Sequence, residues 1–250
     1  RQLTFSGENA EAYFSSDGKN LIFQSHDEDS LCDQIYIMNI ETGSTNMVLT
    51  GEGVTTCSYF VYPDCQKAIY ASTHMGNKKC PEKPDYSMGY VWKLYPDYDI
   101  FLTDLQTKSL EQLTSSPGYD AEATVAFNGS KVVYTSMVSG DLDIWTMDLD
   151  GKNKVQLTDG LGYDGGAFFN NDATKIVWRV YHPKTAEETQ RYKNLLAQNS
   201  IRPMALQIWT MNSDGTNKKQ ITNNGAANFG PYFFPSGNKI VFSSNLHDPK

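Results

Sequence analysis

One short phrase returns five times along the 250-residue chain: Arg-Gln-Leu-Thr at 1–4, Met-Val-Leu-Thr at 47–50, Glu-Gln-Leu-Thr at 111–114, Val-Gln-Leu-Thr at 155–158 and Lys-Gln-Ile-Thr at 219–222. The aligned Leu or Ile positions recur at a period of about 45 residues, stretched twice by about 20. This period limits the possible folds more than any other feature. Units of that length are supersecondary repeats, which bury their faces only by stacking on one another.

Each unit carries the same succession of segments. A first strand ends in a polar turn and a Lys opens the second, as in Ser16-Asp-Gly-Lys19, Asn128-Gly-Ser-Lys131 and Ser236-Gly-Asn-Lys239. Asp-Gly and Asn-Gly favour tight hairpins because both residues tolerate positive φ. The second strand is a short apolar run at 21–23, 68–70, 132–134, 176–178 and 240–242. The third alternates: Gln34-Ile-Tyr-Ile-Met38, Asp99-Ile-Phe-Leu-Thr103, Asp143-Ile-Trp-Thr-Met147 and Gln207-Ile-Trp-Thr-Met211. Period two puts Ile35, Ile100, Ile144 and Ile208 on one face, expected to be buried between units. A second turn, such as Asp150-Gly151 or Asp214-Gly215, leads to the recurrent phrase as fourth strand.

Four short antiparallel strands in about 45 residues is the arithmetic of a propeller blade. The succession Gln-Leu-Thr, Asp-Gly-Lys and Ile-Trp-Thr-Met-Asn before Asp-Gly resembles the TolB-type, WD40-like propeller repeat, over essentially the whole chain. The expected fold is therefore an all-β propeller. Its blades fall at 6–50, 51–115, 116–159 and 160–223, with a partial blade at 224–250 and a strand at 1–5 that belongs to another or a closing blade. Four complete blades with pieces at both ends read as part of a longer propeller, and the resemblance implies six blades. It also implies a periplasmic or extracellular binding protein, or, through related repeats, the propeller of a prolyl-oligopeptidase-like hydrolase.

Two insertions, 74–97 and 182–206, lie between second and third strands, so both should build up the same face. The first, rich in Pro, Tyr, Lys and Gly, reads as an irregular loop. The second carries a capping box at Thr185 and Glu188, a run free of Gly and Pro at 190–198, and Pro203 beyond. The four cysteines have no zinc spacing. Cys32, Cys57 and Cys80 share the insertion face and allow at most one disulfide, whereas Cys65 sits in the opposite turn and should be free. Net charge is −8, with no basic stripe of the kind a nucleic-acid groove needs. No apolar run approaches the length of a membrane span.

Aligned first strands place Asn9, Asp120, Asp164 and Asn228 at one mouth of a central channel, with Glu11 and Glu122 one step deeper on the same side of the strand. Two readings stand. Oxygen ligands around an axis suit a hard cation such as Ca²⁺; equally, they suit a hydrated channel whose carboxylates bond neighbouring backbone. His26, His74, His182 and His247 each follow a second strand, so they should share this face. With Asp120 and Asp164 they could bind a transition metal or supply acid–base groups, or each could bond only its own loop. No G-x-S-x-G, H-E-x-x-H or P-loop motif occurs. The reading that results is a non-enzymatic propeller scaffold that binds a protein, peptide or glycan on the insertion face. The alternative is a substrate-gating propeller of a hydrolase.

Overall fold

A computed structural model describes residues 1–26, 32–48, 51–82, 84, 86–87 and 89–248. Four complete blades are present, each an antiparallel sheet with its strands in chain order. Blade one comprises Glu8–Phe14, Asn20–His26, Gln34–Asn39 and Thr45–Met47. Blade two comprises Thr55–Phe60, Lys67–Ser72, Asp99–Asp104 and Leu110–Gln112. Asp120–Val125, Lys131–Ser136, Asp143–Asp148 and Val155–Gln156 form blade three, and Tyr163–Phe169, Lys175–Tyr181, Gln207–Asn212 and Lys219–Gln220 form blade four. A fifth sheet has the two strands Asn228–Phe233 and Ile240–Ser244. Residues 1–5, read from sequence as a strand, form none. A fourth strand needs a third beside it to take its hydrogen bonds, and no described strand lies there. No helix among the described residues is long and apolar enough to cross a membrane.

The recurrent phrase is a staple between outer strands. Thr114, Thr158 and Thr222 accept a hydrogen bond through Oγ1 from the backbone N–H of Ile100, Ile144 and Ile208, at 2.9, 2.8 and 2.8 Å. Each hydroxyl in turn donates to the side chain that opens the third strand: Asp99, Asp143 or Gln207. Gln112 and Gln156 add a bond to the same carboxylates, both at 2.9 Å. The strand-three isoleucines, Ile35, Ile100, Ile144 and Ile208, are all fully buried. Truncating any one would remove transfer energy and leave a cavity.

One feature of the first strands departs from simple alternation. All five lose register with their second strand at the same place, between Ala10 and Tyr13, Thr56 and Tyr59, Ala121 and Thr124, Gly165 and Phe168, and Phe229 and Tyr232. The residues at these bulges are Glu11, Cys57, Glu122, Gly166 and Gly230, with φ of 51°, 52°, 56°, 59° and 54°. A bulge re-aims the side chain that it carries. Two residues further on, four of the five strands carry an aromatic ring, and these rings meet across the axis. Phe168 lies 5.7 Å from Tyr13, 6.1 Å from Tyr59 and 5.2 Å from Tyr232. The hydroxyls of Tyr59 and Tyr232 are 2.9 Å apart. The centre of the propeller is thus plugged by aromatic packing at this level.

The insertions stand on one face and join each other. Trp92–Lys93 of the first pairs antiparallel with Ser200–Ile201 of the second, so the first is not wholly irregular. The helix of the second runs Ala186–Leu196, from the turn that Thr185 and Glu188 cap reciprocally. It therefore begins earlier than the 190–198 run, because the capping box sets its first residue. Tyr192 on its buried face donates its hydroxyl hydrogen to Asp141 of blade three. Lys93 Nζ donates to the Gln198 carbonyl at 2.7 Å. A canopy built from blades two and four thus stands on the insertion face. Cys32 and Cys80 form a disulfide on this side, while Cys57 and Cys65 are free thiols.

Candidate functional site

All five bulge residues line one small cavity of about 50 Å³ above the aromatic plug, with Arg179 reaching into it from the second strand of blade four. Above it opens a larger cavity of about 820 Å³, which shares Glu11, Cys57, Glu122, Arg179 and Gly230 as lining. Its upper wall is aromatic, with Tyr86, Tyr90, Trp92, Tyr95, Tyr98 and Tyr119. Trp92, at the paired strands of the canopy, meets Tyr163 and Phe229 edge-on at 5.9 and 6.0 Å. The guanidinium of Arg179 stacks 5.3 Å from the Trp92 ring and 5.8 Å from Tyr163.

Glu122 is the best-held charge in the cavity. Its carboxylate accepts from Arg179 Nη2 at 2.8 Å, Thr135 Oγ1 at 2.7 Å, the Gly166 N–H at 2.9 Å and the Tyr163 hydroxyl at 3.0 Å. This cluster explains the Gly165-Gly166 pair. A Cβ at Gly166 would overlap the Arg179 guanidinium, and one at Gly165 would overlap Glu122 and Tyr163. Burial opposes the charge on Arg179, but the carboxylates of Glu122 and Glu11 outweigh it and keep it protonated. Cys57 is pushed the other way: burial first, then Glu11 and Glu122, raises its thiol well above the usual range, so it is a neutral thiol and a poor nucleophile. Enclosure by protein also raises the Glu11 carboxyl; Arg179 opposes that shift and Glu122 adds to it. Glu11 nonetheless keeps access to solvent.

The structure brings Glu11 and Glu122 together and turns the mouth residues away from the axis. Asp120 is buried against its own sheet, bonded by Ser136 and Thr114, and burial pushes its carboxyl up to about 6. Asp164 is buried beneath Trp178 Nε1 at 2.6 Å and His182 Nε2 at 2.8 Å. Asn228 donates to the Leu206 carbonyl at 2.7 Å. Asn9 is exposed and bonds Ser6 and Ser25. The bulge is the reason: in an unbroken strand, positions two apart share a side, but the extra residue breaks that rule. Of the two aligned positions, the mouth and the bulge, the bulge position is the one that faces the bore.

Nor do the histidines gather. His26 lies 2.6 Å from Asp33, His74 is buried beside Ser72 and against the Phe101 ring, His182 holds Asp164, and His247 is exposed. Burial lowers His74. Burial also works to lower His182, but the hydrogen bond and charge of Asp164 outweigh it and raise the imidazole. No group of three His, Cys, Asp or Glu side chains that could hold a metal is found among the described residues.

Arg179 and Trp92 are the site residues that sequence reasoning passed over. A signal existed for the first: Arg179 interrupts an apolar second strand at the position where the other units carry Gln24, Ala71, Thr135 and Ser243. Together with Gly165-Gly166 in the paired strand, an internal charge opposite two glycines marks a place where a side chain needs room.

No protein-family model and no curated protein matches the sequence. Among solved structures, TolB from Acinetobacter baumannii matches with a TM-score of 0.66 at 16% identity, over 94% of this chain and 48% of that one. A chain of a nidogen/laminin complex matches at 0.64 and 11% identity, over 96% of this chain and 73% of that one. A prolyl endopeptidase matches at 0.56 and 7% identity, over 96% of this chain and 33% of its own. The present chain spans about half the length of the TolB structure. Identities this low speak for the fold, and the blade order, the bulged first strands and these matches agree on it: the chain is a β-propeller of TolB-like fold.

Proposed function

We propose that this chain is a non-enzymatic binding propeller that receives a segment of a protein or peptide partner in the cavity on its insertion face. The observation that carries this reading is the cavity itself: about 820 Å³, walled by aromatic side chains, bordered by the joined insertions and closed below by the aromatic plug. Concave, largely apolar sites with a few placed polar groups are where ligands bind. Its one thiol is neutral, and the best-placed carboxylate, Glu122, is consumed in structural hydrogen bonds. This supports binding over catalysis. The Cys32–Cys80 disulfide supports an oxidising compartment, periplasmic or extracellular.

The test is a peptide-array screen with wild-type protein and with Trp92→Ala. Binders that lose at least about tenfold in affinity on Trp92→Ala support the reading; binders indifferent to it, or competed only by changes on the opposite face, overturn it. The likeness to a prolyl endopeptidase supports a second reading, a propeller that gates substrate for a hydrolase. Passage along the axis would require the Tyr59–Tyr232 contact to open, and this favours the first reading.

A further inference from the structure

Glu11 and Glu122 occupy the same aligned position with the same left-handed backbone, yet only one is accounted for by the fold. Backbone strain of this kind persists where something holds it, and it gathers at functional sites. For Glu122 the holders are four donors from three strands. For Glu11 the described hydrogen-bond partner is the Cys57 thiol, a weak one. Where no side chain is needed at this position, as in blades four and five, the chain uses Gly166 and Gly230. Glu11 therefore carries a carboxylate into the bore that the fold does not itself need.

The charge balance around it selects the ligand. Glu122 neutralises Arg179, which leaves Glu11 as the excess charge of the inner cavity. Further out, Glu8 and Asp33 line the wider cavity, and the Lys93 amine is turned to the Gln198 carbonyl. An anion approaching Arg179 would meet two carboxylates, whereas a cation would meet one unpaired carboxylate among ring faces. The inner cavity of about 50 Å³ has room for only one or two water-sized groups, so it takes the end of a chain rather than its middle.

Building on the binding function proposed above, we infer that the inner cavity captures a primary ammonium group, the amino terminus or a lysine end of a peptide, with Glu11 as its counter-ion. The adjoining peptide then lies against the Tyr98, Tyr119 and Trp92 walls of the wider cavity.

The test uses the full chain and calorimetric titration with n-butylammonium, with butyrate as the probe of opposite charge. n-Butylammonium is expected to bind, butyrate is not, and Glu11→Gln is expected to weaken butylammonium binding by about tenfold or more. Short peptides with a free or an acetylated amino terminus, with and without a terminal Lys, separate the two sources. Loss on acetylation assigns the terminus; retention by an acetylated, Lys-ended peptide assigns the side chain. Glu11→Gly guards against a folding artefact: it removes both carboxylate and strain, so it should lose binding with a melting temperature at or above that of the parent. Equal binding of butyrate, unchanged butylammonium affinity in Glu11→Gln, or a melting temperature lowered by Glu11→Gly would overturn the inference. A peptide that needs Trp92 but is indifferent to Glu11→Gln would sink the ammonium site while leaving the binding function intact.

Discussion

The seam between blades three and four and the inner edge of blade one are built on the same local geometry and put it to different use. At the seam, the bulged Glu122 is tied to Arg179, Tyr163, Thr135 and the Gly166 backbone, so the strained residue fastens two blades together. On blade one, Glu11 has the same φ within a few degrees, but its first strand is largely exposed and its carboxylate opens to the cavity. The difference teaches that a repeat transmits backbone shape while each blade's neighbours decide what the shape is for. At the seam those neighbours are an Arg and a pair of glycines; on blade one they are solvent and a thiol.

The largest expected effect lies at the seam. Glu122→Gln leaves Arg179 buried without its counter-ion and should cost about 3–5 kcal/mol in denaturant unfolding, while Glu11→Gln should stay within about 0.5 kcal/mol. Equal losses at both positions would break the contrast. Next comes the mouth position of blade three. The folded state raises the Asp120 carboxyl from 3.8 to about 6, so it holds that proton more tightly than the unfolded chain does. Its contribution is therefore most favourable below about pH 4 and is lost as pH rises to about 6. Asp120→Asn should flatten this window and stabilise the protein at pH 7 by about 2–3 kcal/mol. Asn9→Asp, at the exposed copy of the same position, should leave the pH profile of stability unchanged; a similar slope there would mean that burial is not the cause.

Smaller effects separate crowding from backbone strain. Gly166→Ala meets the Arg179 guanidinium as well as a left-handed φ and should cost about 2 kcal/mol or more. Gly230→Ala has the same φ with nothing within 4 Å, so only the backbone penalty of about 1 kcal/mol should appear. A larger loss at Gly230 than at Gly166 would contradict the assignment of Arg179 as the occupant of that space. Glu11→Gly is expected to act in the opposite direction, raising stability by no more than about 1 kcal/mol, measured as a shift of the denaturation midpoint at unchanged slope.

Much of this architecture was legible because it is local and repeated. The hairpin turns, the apolar second strands, the alternating Ile35, Ile100, Ile144 and Ile208, and the capping box at Thr185 each follow from a few adjacent residues. Their recurrence turned separate weak signals into one fold. The Gln-Leu-Thr phrase was visible as a repeat before its Thr hydroxyl could be seen bonding the backbone of the third strand. The candidate site was legible only in part. Alignment brought Glu11 and Glu122 to one position, but it also brought Asp120, Asp164 and Asn228 to a ring they do not form.

Sequence by itself therefore determined the blade, its strand order and the face that bears the insertions, since these rest on period, turn chemistry and connection length. Tertiary structure alone decided which side chains enter the bore, that Cys80 rather than Cys57 pairs with Cys32, and that the two insertions join at Trp92–Lys93 and Ser200–Ile201. The physical reason is distance along the chain. A bulge is a single-residue change of backbone conformation, and its consequence depends on strands from other blades converging on one axis. Arg179, Glu122 and Trp92 are far apart in sequence and meet only once the blades have packed.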